Sequence, residues 1–164
     1  MTTHEPSPGA VTELYRLQLA SKFGVERELE NWATAQIAVD PSPTCELCEL
    51  ATATTTEPAR LFDALREFPR TEDDRDLAWA MFCRSLHADL TSGRRSVEET
   101  VYGLYGLDRV HELPEHMSLP ITILEDQYSL VRDNVHGTLD EVKTEAARLL
   151  QLYFDDATPE QPTA

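Results

Sequence analysis

The cysteines are the residues of this sequence best suited to metal or redox chemistry. Cys45 and Cys48 form a C-x-x-C pair, and Cys83 lies further along the chain. One pair supplies two of the four ligands of a tetrahedral zinc site, so Cys83 and a histidine would have to supply the others. A redox C-x-x-C usually opens a helix after a strand, and no strand pattern precedes this one. We therefore expect cysteines that pack inward and no cofactor, with a zinc site of the three cysteines as the alternative.

The histidines complete no catalytic motif. The segment 111–116, HELPEH, comes near a metalloprotease motif but matches neither H-E-x-x-H nor H-x-x-E-H. Pro114 would also prevent the helix that places two histidines on one face. His87 lies at the margin of a predicted apolar face, where a hydrogen-bonded boundary residue is the simpler interpretation. We predict no catalytic residue, and the sequence does not support an enzyme.

Carboxylates cluster at two places in the sequence. The first group follows the outer face of one predicted helix, and the second opens another helix at its N-terminus, where negative charge is stabilising. The second group lacks the ligand pattern of a calcium loop. The candidate partner-binding residues are Glu26, Glu28, Glu30, Glu72, Asp73, Asp74 and Asp76.

Net charge is the strongest feature of the composition. The 164 residues include 30 acidic and 14 basic side chains, for a net charge of −16. Such a surface repels nucleic acid and anionic membranes, so we expect neither as a partner. It attracts basic proteins, although acidity also serves solubility alone. No apolar run approaches the ~18 residues of a membrane span, and the first ten residues lack a signal-peptide pattern, so we expect a cytoplasmic protein.

Apolar spacing predicts an all-α fold, and the clearest helix covers 71–92. Thr71 can cap this helix, acidic residues occupy its first turn, and Gly93 can end it. Apolar residues lie on two of its sides, one with Phe82 and one with Leu77. Two apolar sides indicate a central helix that packs on more than one flank.

The other elements complete a single-domain bundle of about seven helices around this buried central helix. The domain covers 10–156, between flexible tails at 1–9 and 157–164. A short strand pair near 119–124 is the alternative to a helix there, and 107–119 is predicted to be a long loop. The other predicted helices cover about 10–22, 25–38, 44–51, 57–68, 97–104, 120–135 and the segment from 139 onward.

Three functional hypotheses follow from these features. The first is a non-catalytic acidic interaction protein that binds a basic partner protein, with an immunity or antitoxin-type inhibitor as its concrete form. The second is a small metal-binding protein or enzyme that uses Cys45 and Cys48 with a nearby histidine. The third is a helical adaptor domain that forms a homodimer through the apolar helix surface that is not buried within the domain.

Overall fold

The computed structural model describes residues 5–110 and 113–156, and eight α-helices are the only regular secondary structure in these ranges. The all-α prediction is confirmed, and the packing of the helices is consistent with a bundle. None of the described helices is long and apolar enough to cross a membrane. The helices are α1 (Pro8–Ala20), α2 (Glu26–Val39), α3 (Cys45–Leu50), α4 (Pro58–Glu67), α5 (Glu72–Ser92), α6 (Val97–Arg109), α7 (Glu115–Arg132) and α8 (Leu139–Asp156).

Contacts divide the chain into two compact units, residues 1–78 and 79–164, and the boundary falls inside α5. We call them the N-terminal unit and the C-terminal unit. The prediction of one domain over 10–156, with α5 at its centre, stays a prediction.

Helix boundaries follow the local capping signals in most places. The predicted tail at 157–164 and residues 1–4 of the other tail lie outside the described residues, but Ser7 already caps α1. Two capping boxes form, at Ser96–Glu99 and at Thr138–Glu141, where the sequence has the S/T-x-x-E pattern. In each box the hydroxyl of the cap residue accepts a hydrogen bond from the backbone N–H of the glutamate. The carboxylate of that glutamate accepts one from the backbone N–H of the cap residue, so two backbone donors that lack a helical partner are satisfied.

The core of the N-terminal unit forms where α2, α3 and α4 meet. Each of these helices contributes one fully buried leucine: Leu29, Leu50 and Leu65. Trp32 packs against Tyr15 of α1, with 6.2 Å between ring centroids, and α1 also contacts α4. Burial of these apolar side chains supplies the main stabilisation of short helices that would not persist alone.

α1 buries an ion-pair cluster on the side that faces the rest of the N-terminal unit. The Glu13 carboxylate accepts a hydrogen bond from Arg16 Nε at 2.9 Å and another from the Arg70 guanidinium. Burial raises the pKa of Glu13, but the hydrogen bond from Arg16 and the neighbouring positive charges outweigh it, and the net pKa is lowered. Apolar residues of α1 such as Leu14 are only half-buried, because these polar residues occupy the inward face.

The C-terminal unit packs α6, α7 and α8 against one another. The part of α5 in this unit buries Phe82, Leu86 and Leu90. Trp79 Nε1 donates a hydrogen bond to the sulfur of Met117 at 2.7 Å, which joins α5 to the first turn of α7. The inward residues of the other three helices are Val97, Val101, Leu104, Leu107, Met117, Ile121, Leu124, Tyr128, Val142, Ala146, Leu149 and Leu150.

The ends of α5 are as predicted, but its second apolar side, the one with Leu77, is largely exposed. The Thr71 hydroxyl accepts from the Asp74 backbone N–H at 3.2 Å, as expected for an N-cap. Leu77 is 44% exposed, and Ala88 is exposed as well. Met81 on the same side is half-buried, so the prediction that this side packs inward is wrong for Leu77 and Ala88.

The segment between α6 and α8 contains more helix than predicted. Residues 119–124 lie inside α7, so the alternative of a strand at this place is wrong. The prediction of a long loop at 107–119 is also wrong, because α6 runs to Arg109 and α7 begins at Glu115. Pro120 therefore lies in the second turn of α7, where its missing N–H removes one helical hydrogen bond without ending the helix.

Replacing Glu13 by glutamine should destabilise the protein by about 3 kcal/mol, because both arginines of the cluster lose their carboxylate partner. Folding lowers the pKa of Glu13, so its stabilisation is present above the usual carboxyl pKa and is lost as the pH falls through the lowered value. Denaturant unfolding from neutral pH into acid measures both effects, and the gap between wild type and E13Q should shrink in acid. The exposed Glu67 provides the control E67Q, and an equal loss in that variant would contradict the prediction.

Alanine should destabilise the protein at Gly9 and stabilise it at Gly106. A Cβ at Gly9 would lie 2.6 Å from a carboxylate oxygen of Asp74 and 3.0 Å from the carbonyl oxygen of Pro69. A Cβ at Gly106, inside α6, meets nothing within 4 Å. There alanine is favoured over glycine by about 1 kcal/mol. Thermal melting should show a lower Tm for G9A and a higher Tm for G106A, and shifts of the same sign would be evidence against this account.

Candidate functional site

Two of the seven candidate carboxylates have structural roles in the N-terminal unit. Glu30 accepts hydrogen bonds from the backbone N–H and the hydroxyl of Thr54, which joins the turn after α3 to α2. Asp74 accepts from the Ser7 hydroxyl and from the Thr71 backbone N–H. These hydrogen bonds lower the pKa of both carboxyls. Glu30 and Asp74 therefore maintain the fold, and changing them would test stability rather than binding.

The threonine-rich segment after α3 is a loop, and its last threonine does not cap α4. The Thr56 hydroxyl donates instead to the carbonyl oxygen of Thr52. α4 begins at Pro58, whose ring already has the backbone angle of a first helical residue.

The acidic groups of the N-terminal unit do not form one patch. Glu26 borders a groove that includes Leu19 near the end of α1, whereas Asp74 contacts Ser7 at the start of α1. A 13-residue helix is ~20 Å long, so the two groups lie near opposite ends of it. Charge is even along the chain as well, because each unit carries 15 acidic and 7 basic residues. Acidity alone therefore marks no single site.

Of the three cysteines, Cys83 packs inward as predicted, and Cys45 and Cys48 do not. Cys45 and Cys48 are exposed, because Leu47 and Leu50 occupy the inward face of the short helix α3. Cys83 is buried in the C-terminal unit, where burial raises the pKa of its thiol to about 12. Among the described residues, no three histidine, cysteine, aspartate or glutamate side chains lie close enough to hold a metal ion.

Two histidines of the C-terminal unit contact aromatic rings at the end of α8. His87 lies 5.5 Å from Phe154 and His116 lies 6.0 Å from Tyr153, measured between ring centroids, and both pairs are edge-to-face. A general base is commonly oriented by a third group, such as a carboxylate, and no described carboxylate hydrogen-bonds either imidazole. His111 of the HELPEH segment lies outside the described residues. The contacts show that both imidazoles pack against aromatic rings.

An exposed apolar stripe on α7 is the feature that the sequence reasoning missed. We call Leu119, Ile123 and Leu130 the α7 stripe; they are 68%, 48% and 42% exposed. At 100° per residue they lie within roughly 40° of one another, on the face opposite the buried residues of the same helix. The sequence carries its signal as apolar residues at i, i+4 and i+11, beside the inward face that Ile121 and Leu124 define.

Carboxylates border the α7 stripe along one side. Glu115 precedes it, Asp126 falls between its second and third members, and Asp133 follows it, all three exposed. Asp133 is paired with Arg132 at 3.0 Å. Within the described part of the chain, Glu115 and Asp126 form no ion pair. The stripe is therefore an apolar surface with two uncompensated negative charges.

A groove of about 320 Å³ continues the stripe at the corner between α7 and α8. Leu130 belongs to both the stripe and the groove, and Val131 and Val142 add apolar walls. Glu141 and Glu145 bring two carboxylates to the groove from the first turns of α8. The corner is well defined because Gly137, at φ +84°, leads into the Thr138 capping box, which includes Glu141.

The exposure of the cysteines predicts two classes of thiol. Cys45 and Cys48 should react with an aromatic disulfide reagent in the native protein, whereas Cys83 should react only after unfolding, since it is buried and protonated. Thiol titration with and without denaturant measures this, and a chelator should change neither the count nor the melting curve. Protection of Cys45 and Cys48 that a chelator removes would instead favour the zinc site.

Comparisons with protein families, with curated proteins and with solved structures found no match to this chain. The functional interpretation therefore depends on the residues of the protein itself. Of the features described, the α7 stripe, its carboxylates and the adjoining groove combine apolar surface with charge in one place.

Proposed function

We propose that this is a non-catalytic interaction protein that binds a basic partner protein through the α7 stripe. The observation that carries the proposal is the second apolar face of α7, exposed and bordered by carboxylates. Burying three large aliphatic side chains in an interface supplies binding free energy, and the carboxylates select partners of opposite charge.

Charge favours a basic partner over a second copy of the chain. In an antiparallel pair of α7 helices, Glu115 of one copy would approach the neutral Arg132–Asp133 ion pair of the other and gain no opposite charge. In a parallel pair, Asp126 would face its own counterpart. The parallel arrangement brings like charges together in an interface, which costs free energy. A homodimer through this face is therefore the weaker alternative.

The even acidity of the chain supports the same proposal at longer range. A net charge of −16 attracts basic proteins from all sides and raises the rate of encounter. The stripe then provides the contact that an even charge cannot, because it is local and apolar. A specific example of such a protein is an immunity or antitoxin-type inhibitor that binds a basic toxin.

The test uses affinity capture from a lysate of the source cells with three full-length baits. Wild type is compared with I123D, which places a charge on the exposed stripe, and with the control E26K/E28K in the N-terminal unit. We expect a basic protein that wild type and E26K/E28K retain at ~50 mM salt and release at ~500 mM, because salt screens exposed charges. I123D should bind the captured protein at least about 30-fold more weakly, as at an interface hot spot.

Two results would contradict the proposal. One is a captured protein that E26K/E28K loses and I123D keeps, which would move the site to the predicted acidic group on α2. The other is capture that is equal for all three baits or insensitive to salt. Because Ile123 is exposed, I123D should melt as wild type does, and a lowered Tm would require a second stripe variant, L119D.

A further inference from the structure

We infer that the partner presents an amphipathic basic α-helix, which lies along α7 and places a lysine or arginine side chain in the groove between α7 and α8. This inference deepens the proposed function and rests on it. It concerns the shape of the partner and one anchoring contact, neither of which follows from an apolar stripe alone.

The shape of the α7 stripe favours a helix as its occupant. From Leu119 to Leu130 the stripe is ~16 Å long, three turns of helix. An amphipathic helix matches such a surface with apolar residues at i, i+4 and i+11 on its own face. The described residues include no strand, so they offer no sheet edge on which an extended peptide could add a strand.

The groove suits a long basic side chain. Leu130, Val131 and Val142 can cover the aliphatic stem, while Glu141 and Glu145 meet its charged end. Glu141 already accepts from Thr138, and both oxygens of Glu145 accept from Arg148, at 2.8 and 2.6 Å, in an ion pair. A carboxylate has about four lone-pair sites, so both can accept further hydrogen bonds from a partner.

The position of the groove joins it to the stripe. Leu130 lines both, and the exposed Gln127 borders the groove on the stripe side of α7. A helix laid on Leu119 and Ile123 therefore reaches the groove in its last turn. At about 320 Å³ the groove is near the lower limit for small-molecule pockets, and it is open on one side, which favours a side chain over a separate ligand.

The test uses two fluorescent helical peptides of the length of α7. Both carry leucines at i, i+4 and i+11; lysines border the leucines in one peptide, and glutamates border them in the other. Anisotropy at ~50 mM salt measures binding to the full-length protein. We expect the lysine peptide to bind and the glutamate peptide not to bind.

Variants of the groove then test the anchor. E141Q/E145Q removes two charges while glutamine can keep the capping box. The control E99Q makes the same change in the capping box of α6, outside the groove. We expect the lysine peptide to bind E141Q/E145Q about tenfold more weakly than wild type and to bind E99Q unchanged, a tenfold change being 1.4 kcal/mol.

The outcomes separate this inference from the proposed function. Equal binding of the two peptides, or wild-type affinity of E141Q/E145Q, overturns the inference. If the lysine peptide fails to bind but the lysate protein still depends on Ile123, the helical partner is wrong and the proposed function stands. If neither the peptide nor the lysate protein depends on Ile123, both fail.

Discussion

A helix packed in a small bundle can bury only one arc of its surface, and this limit governs what the C-terminal unit leaves exposed. α7 meets α6 and α8 with one arc, where Ile121 and Leu124 are buried. Its other apolar residues lie on the opposite side, so no packing within the unit could bury both sets. The α7 stripe is thus a direct result of a sequence with two apolar faces on one helix, and an apolar face without an internal partner is typical of an interface.

The N-terminal unit shows the converse relation between polarity and burial. Glu13 and Arg16 take the inward face of α1, while Leu14 and Tyr15 are only half-buried. A buried carboxylate is tolerable only because guanidinium groups neutralise it, and one of these comes from Arg70, far along the chain. In both units, therefore, the position of a side chain depends on its neighbours in space more than on its own polarity.

These two helices explain how far the sequence could predict the structure. Signals that act within a few residues were reliable in most places, as in the Thr71 cap, because a cap depends on local backbone groups. Burial was less predictable, since periodicity says which residues share a side of a helix but not which side meets a neighbour. Cys45, expected inside, is exposed for this reason, and Leu119 was overlooked for the same one. The candidate site could have been found in the sequence only by noticing that α7 has a second apolar face in addition to the one that packs inward.

Because each unit contains one tryptophan, the two units can be followed separately by tryptophan fluorescence. Trp32 lies in the N-terminal unit beside Tyr15 and Phe68, and Trp79 lies in the C-terminal unit with its indole N–H on the Met117 sulfur. With one tryptophan replaced by phenylalanine, the emission of the other reports on its own unit. Two single-tryptophan proteins can therefore distinguish whether the units melt in one cooperative transition or in two, and which of them responds when a partner binds.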